Sequence, residues 1–541
     1  MHQLLRLPGN PVENDEVVVS AIEFWNTFVE FVTDSGHSAE PSAWLDLAKA
    51  HMMQMVEEFW AKICIPPPDF TKNWDNDTKT AFASFRLDVQ DLLQSSHVML
   101  GDQLLEGFAH LALETLSHRD WRQVEATLFC LNALADSLNG DDAENQALLQ
   151  VFGSSLFPDL SSLDSSIPAR TRRTAVDMVG HYAEFFERHT EVLPAVLNFL
   201  FTSLGAAALA DTAARSVASL CSSCRASLTL ELDAFFQQYE RFLTWPTAAS
   251  FTKAKVIGAI AAIVQALPTD ESRACGLQRL LDFVDKDVEL SLACMAAGQV
   301  EQSQVAGVTA LESLASIGRS SQAPDDVPID LEQNDTGPNY WHDGPGSVMQ
   351  QRIARFIGTV VDILGEDGDV IEAACNVLRS GYSEAVPGPF VLPPQVTIEF
   401  LSRVKLETPR LDVVHGTICA FLASHASDKN RTPSTSSIEG EAGAILQHIY
   451  GLIKVLGNPR ADPEVSQSCM DVLCRFVPAY ASVLLQPRLP GALHDILNFA
   501  IECLTVPEPL TKRSASSFWV SSSIRFMPSV ITWRKEIGEE L

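Results

Sequence analysis

Basic side chains are scarce in this chain: 38 Lys and Arg stand against 69 Asp and Glu, a formal net charge of −31. That balance excludes direct nucleic-acid binding as the main activity, because phosphates are neutralised by Lys and Arg. Adhesion to anionic membrane surfaces is excluded on the same ground. Long apolar runs are also missing. The most continuous, Val256 to Val264, is about half a membrane span, so no membrane insertion is expected. The first apolar residues, around Leu4 and Leu5, form too short a stretch for a signal peptide. No segment keeps the period-2 alternation of a half-buried strand between turn signals. The 11 Cys are scattered, mostly at apolar helical positions, and their odd number fits no disulfide framework. Reduced thiols and a cytosolic or nuclear protein follow.

The constellations of catalysis are equally thin. The 13 His form no HExxH pair, there is no Gly-rich phosphate loop, and no GxSxG elbow occurs. Adjacent acids such as Glu57-Glu58 and Asp141-Asp142 diverge on a helix and do not make an acid/base couple. Cys221 and Cys224 form a CxxC without a second pair, late in an apolar helix stripe, where redox chemistry or zinc would want a helix start or a partner pair. Both are expected in the core. His425 and His448, beside loops, are expected on the solvated surface. No enzyme, cofactor or metal is expected.

What the sequence does have is a repeated helical unit. A helix through Val196 stops at Leu204-Gly205, and the next restarts at Asp211 and reaches Leu220. The same pattern stops at Leu364-Gly365, restarts at Asp369 and reaches Leu378; it stops again at Leu456-Gly457, restarts at Glu464 and reaches Leu473. Small residues fill the interval: Ala213, Ala214 and Ser216; Ala373 and Ala374; Ser466, Ser468 and Cys469. Gly after the last apolar residue supplies a left-handed helix stop, and an acid at the restart complements the helix N-terminus. Apolar stripes at steps of three and four, such as Trp121, Val124, Leu128, Leu131, Ala135 and Leu138, recur along the chain. Helix pairs that cannot bury their apolar faces alone must stack. The expected fold is all-α, an α-α superhelix of HEAT/armadillo type, with about ten repeats of ~40 residues.

One continuous solenoid is expected over residues 1–525, with an atypical tail at 526–541. Residues 65–75, containing Pro66, Pro67 and Pro68, are expected to be extended. A flexible loop is expected at about 425–440. An acidic insert at about 320–347 carries six acids and no Lys or Arg. Its Asp325, Asp326, Asp330, Glu332 and Asp335 would attract a basic surface, and Tyr340 and Trp341 would serve as aromatic anchors. Residues 11–60 hold ten acids and the single base Lys49. Phe185-Phe186 and Phe235-Phe236 could line clefts between outer helices, with at least one of each pair in the core. The apolar helix around Phe24 and Trp25, and the apolar end around Phe526 and Trp533, read as the cut faces of a longer superhelix.

An ordered series of segments gives a resemblance. It comprises Pro8-Gly9-Asn10-Pro11-Val12 with Phe24-Trp25; Trp74-Asp75 with Phe85-Arg86-Leu87-Asp88-Val89; and Met99-Leu100-Gly101 with Leu104-Leu105. Then come Trp121 with Glu125-Ala126 and Leu128; Cys221-Ser222-Ser223-Cys224-Arg225; Gly337-Pro338-Asn339; Val370-Ile371-Glu372-Ala373-Ala374-Cys375; and Pro507-Glu508 with Ser514-Ala515-Ser516. Over roughly residues 5–520 this resembles the importin-β superfamily, in its importin-13 branch near the transportin-3 type. The resemblance implies a nuclear transport receptor that shuttles between nucleus and cytoplasm. It would carry protein cargo, here basic nuclear proteins, bind Phe-Gly nucleoporins and answer to Ran-GTP. The acidic insert would be a cargo or Ran contact. No counterpart of the superfamily's N-terminal Ran-binding domain or of its last repeats is found in the sequence. The alternative is a HEAT-repeat scaffold for a stable complex unrelated to transport.

Overall fold

The structure is a computed structural model; it describes residues 1–13, 15–36, 43–137, 146–162, 166–324, 339–382, 384, 387–426, 438–485 and 490–522. The expected tail at 526–541 and most of the expected 425–440 loop lie outside these. Every described regular element is helical, and no strand occurs among the described residues. Two compact units divide the chain at 1–252 and 253–541.

In the N-terminal unit, helices pair in sequence and stack in two rows. The first row holds Asp102–Ser117, the short helices Gln146–Phe152 and Leu156–Ser161, and Leu193–Leu204. The second row holds Asn76–Leu100, Trp121–Ala133, Ala169–His181 and Ala210–Ser223. The C-terminal unit repeats the plan. Its first row runs Asp270–Ala296, Ser347–Leu364, Pro394–Leu401, Glu439–Leu456 and Ala492–Cys503. Its second row runs Val300–Ser320, Gly368–Tyr382, Leu411–Ala426 and Pro463–Leu484, followed by a helix over 509–522. Successive members of each row pack together, and most helices also pack on their pair partner, which is the arrangement a stacked repeat needs.

The repeated unit read from the sequence falls where expected. Leu204, Leu364 and Leu456 end first-row helices, with Gly205, Gly365 and Gly457 as the residues just beyond. Asp211, Asp369 and Glu464 all sit in the first turn of the second-row helix. The stop chemistry differs in part. Only Gly457 is left-handed, at φ +69°; Gly205 and Gly365 keep right-handed values of −73° and −65°. The caps are Asp462, whose carboxylate accepts the Val465 N–H at 3.0 Å, and Asp367, which accepts from Asp369 and Val370. The proline stretch is not wholly extended: Pro68 starts the short helix Pro68–Thr71, where its missing N–H costs nothing.

The small residues set the spacing within the second row. Ser216 donates to the Val176 carbonyl at 2.7 Å, and a Cβ on Gly180 would lie 3.0 Å from the Ser216 hydroxyl. Gly258 faces Ser316 and Gly318 faces Ser380 still more tightly. We expect Gly318→Ala to destabilise the C-terminal unit by about 1–3 kcal/mol through overpacking. Gly457→Ala, with open space but a left-handed backbone, should cost about 1 kcal/mol. Gly205→Ala should be neutral within about 0.5 kcal/mol. Melting curves of the three variants test this ranking; a Gly318→Ala protein as stable as Gly205→Ala would contradict the close contact.

Along the first row of the C-terminal unit, polar bridges join successive helices. Arg352 bonds Asp282 and Asp285, each at 2.7 Å; Arg403 bonds Asp362 at 2.6 Å; and Tyr450 and Lys454 share Asp495 at 2.7 and 3.0 Å.

Candidate functional site

The second row of the C-terminal unit carries a groove of about 740 Å³ between helices 411–426 and 463–484, reaching the start of helix 509–522. Five carboxylates line it: Asp412, Asp462, Glu464, Asp471 and Glu508. Their placement follows from helix periodicity. Asp412 and Glu464 lie in first turns, where acids favour the helix N-terminus. Asp471 lies two turns beyond Glu464 on the same polar face. All but the half-buried Asp462 are exposed, and none of the five makes an ion pair among the described residues. The groove is thus an unneutralised negative surface that attracts a cationic partner.

The groove floor has no reactive group. His415 is buried and bonds through Nδ1 to the Ser468 hydroxyl at 2.6 Å. Burial, with the nearby His448, pushes its pKa down to about 3, so its ring is neutral. Burial pushes the Cys419 thiol up to about 11.

The same histidines give a pH dependence. A ring held neutral in the fold binds its proton more readily when unfolded. Stability is therefore intact above about pH 6.5 and falls as the pH drops toward 3, by up to about 1.4 kcal/mol per pH unit for each such group. Burial lowers the His448 pKa as well. We expect the melting temperature to fall between pH 6.5 and 4.5, and His415→Asn to flatten that slope; an unchanged slope would remove His415 from the account. His448 was expected at the surface. Instead its Nε2 is sealed from solvent without a partner among the described residues, because helix 439–456 turns that face toward its neighbours. His425 is half-buried, its ring 4.3 Å from Phe421.

A second concavity of about 500 Å³ lies in the first row of the same unit, between helices 347–364 and 394–401. Ile357, Val361, Val396 and Phe400 give it an apolar floor, and Arg355, Asp362, Glu399 and Arg403 a charged rim. The aromatic pairs named from sequence are not available for such clefts: Phe185, Phe186, Phe235 and Phe236 are all buried. Cys221 and Cys224 are buried as expected of core positions, with thiols pushed up by burial.

Of the acidic insert, Asp325, Asp326, Asp330, Glu332 and Asp335 lie outside the described residues. Tyr340 is half-buried. Trp341 is buried, held by an Asn339 side chain that accepts from the Trp341 and His342 N–H groups, and so is a packing residue and not an exposed anchor.

Sequence reasoning missed the strongest polar feature of the N-terminal unit. Arg86 donates through both terminal nitrogens to the two oxygens of Glu125, at 3.0 and 2.9 Å, with the partners 1% and 2% exposed. Thr174 adds a bond to Glu125 at 2.9 Å, and the Arg86 guanidinium lies 4.1 Å from the Phe129 ring centre. A signal was present. Arg86 stands among Phe82, Phe85, Val89, Leu92 and Leu93, and Glu125 among Trp121, Val124 and Leu128, each at a core position of its stripe.

Among the described residues no helix is long and apolar enough to cross a membrane, and no group of three or more metal-ligating side chains occurs. The two rows of paired helices in each unit define a HEAT-type solenoid. The chain is similar to the importin-β superfamily, in the branch of importin-13 and transportin-3. The model for the third TPR domain of transportin-3 and importin-13 matches residues 159–237. The chain is 24% identical over 528 residues to importin beta-like protein kap111 of Schizosaccharomyces pombe, covering 96% of this chain and 52% of that protein. It is 20% identical over 296 residues to transportin MOS14 of Arabidopsis thaliana, covering 50% of this chain and 30% of that one. The structure of importin-13 in its cytosolic state superposes with a TM-score of 0.76 at 17% identity, over 96% of this chain and 57% of that one. The Kap95:Nup1 complex gives 0.56 at 14% identity, over 99% of this chain and 60% of the other. The chain therefore spans about half the length of the relatives it matches.

Proposed function

We propose that the chain acts as a nuclear transport receptor, carrying protein cargo between cytoplasm and nucleus under the control of Ran-GTP. Its chemistry is binding and release. The observation that carries this reading is the groove lined by Asp412, Asp462, Glu464, Asp471 and Glu508, five carboxylates with no ion-pair partner among the described residues. Such a surface suits the Lys- and Arg-rich segments of basic nuclear proteins. Kinship with importin-13 and transportin-3 supports the same reading. The first-row concavity around Ile357, Val361, Val396 and Phe400 suits a Phe side chain of a Phe-Gly nucleoporin, with the apolar floor taking the ring. Kap95, a structural relative, forms a complex with Nup1.

The test is a pull-down from cell extract on the immobilised chain, with and without Ran loaded with a non-hydrolysable GTP analogue. Nucleoporins and basic proteins should be retained, and Ran-GTP should release the basic proteins. One constant partner, with no nucleoporin and no response to Ran, would replace transport with a scaffold role.

A further inference from the structure

In a chain of net charge −31, helix 169–181 gathers positive charge: Arg170, Arg172 and Arg173 fall in its first five residues. Arg172 folds back on carbonyls of Leu160, Ile167 and Ser162. Arg170 and Arg173 share one exposed face, three residues apart. The neighbouring second-row helix 210–223 adds the exposed Arg215. Ser216 bonds the Val176 carbonyl and Ser219 the Gly180 carbonyl, which fixes Arg215 alongside that face. Asp177, on the same face, has His181, Arg173, Arg215 and Arg170 as its charged neighbours.

Arg173 and Arg215 have no ion-pair partner among the described residues. Arg173 donates to the Ala208 carbonyl at 2.7 Å and Arg215 to the Thr212 hydroxyl at 3.4 Å. Neither meets a carboxylate at ion-pair distance among the described residues, and Asp211, one turn ahead of Arg215, makes no ion pair. Arg170 approaches Glu125 at 3.6 Å, but that carboxylate already takes two bonds from Arg86 and one from Thr174. Burial, with repulsion from Arg86 and Arg173, lowers the Arg170 pKa against the opposing pull of Glu125.

We propose that Arg170, Arg173 and Arg215 form a docking strip for a short acidic peptide segment. Guanidinium groups hold carboxylates or phosphates through paired N–H donors. Neighbouring helices of a row lie roughly 8–10 Å apart. An extended chain advances ~3.3 Å per residue, so acids every third residue would reach successive helices. A long polyanion is disfavoured, because it would extend past the strip into the field of a strongly negative protein. A short segment feels the local cations. This strip belongs to the N-terminal unit and the acidic groove to the C-terminal one, and the proposal does not depend on the transport reading.

The experiment is fluorescence anisotropy of a labelled Glu-Ser-Gly repeat peptide, its phosphoserine counterpart, a Lys-Ser-Gly control and a single-stranded oligothymidylate. Each is titrated with the full chain and with Arg173→Ser/Arg215→Ser. The two substituted side chains are exposed, so melting curves should coincide. The acidic peptide should bind, and the double variant should weaken it at least tenfold. A stronger phosphoserine peptide, weakened in parallel, would assign phosphate as the preferred anion within the same site. Equal binding by the variant, or none up to millimolar protein, would overturn the proposal. So would an oligonucleotide that binds more tightly than either peptide and is lost in the variant.

Discussion

Replacing Glu125 with alanine is expected to cost the N-terminal unit about 3–5 kcal/mol, the largest single-residue loss foreseen for this chain. The reason lies in what remains. Arg86 is 1% exposed, and its Nε already has no partner among the described residues. Without Glu125 its two terminal nitrogens would also lose their acceptors, leaving a full charge buried against Phe129. Desolvation of an unpaired ion is what makes breaking such a pair so much worse than removing it whole. The double change Arg86→Met/Glu125→Leu should therefore recover stability to within about 1 kcal/mol of the parent. Thr174 would still lose one bond, worth about 1 kcal/mol. Urea unfolding followed by circular dichroism measures the loss, and hydrogen exchange locates it on helices 76–100 and 121–133. An alanine variant that loses less than about 1 kcal/mol would mean that Arg86 finds water, and that the pair is not sealed.

Reversing the charge of the acidic groove should abolish binding of a basic peptide. In Asp412→Lys/Glu464→Lys/Asp471→Lys, three attractions become repulsions. At about 1 kcal/mol for each unit-charge contact near the surface, affinity should fall at least ~100-fold. All three side chains are exposed and make no ion pair among the described residues, so the fold should be retained. The affinity of the parent should also fall steeply as salt rises, because exposed charges are screened within about 8–10 Å. Titration of a labelled Lys/Arg-rich peptide with both proteins decides the matter. Unchanged affinity in the triple variant would put the cargo surface elsewhere.

The two sets of residues explain how far the sequence could be read. Helix pairs were legible because burial imposes a period of 3.6 on apolar residues. The stops at Leu204, Leu364 and Leu456 and the acids at Asp211, Asp369 and Glu464 recur at matching places. The groove was not legible as a site. Its carboxylates come from three helices that meet only in space, and each alone is an ordinary acid on a solvated face. Arg86 and Glu125 were hidden for the opposite reason: each is polar at an apolar position, and only the pairing makes that tolerable. Gly205 and Gly365 show a further limit. The residue type marked the helix ends correctly, but the backbone there needs no left-handed turn, so the cap geometry had to come from the structure.

The bridges from Arg352 to Asp282 and Asp285, from Arg403 to Asp362, and from Tyr450 and Lys454 to Asp495 have a mechanical meaning. They join first-row helices as springs in series, so the compliances of all joints add and the softest dominate. Each joint includes at least one exposed or half-exposed charge, and such pairs hold by only ~0.2–1 kcal/mol. Thermal energy alone opens them often. Rising ionic strength should therefore loosen these polar joints while the buried apolar contacts between the helices persist.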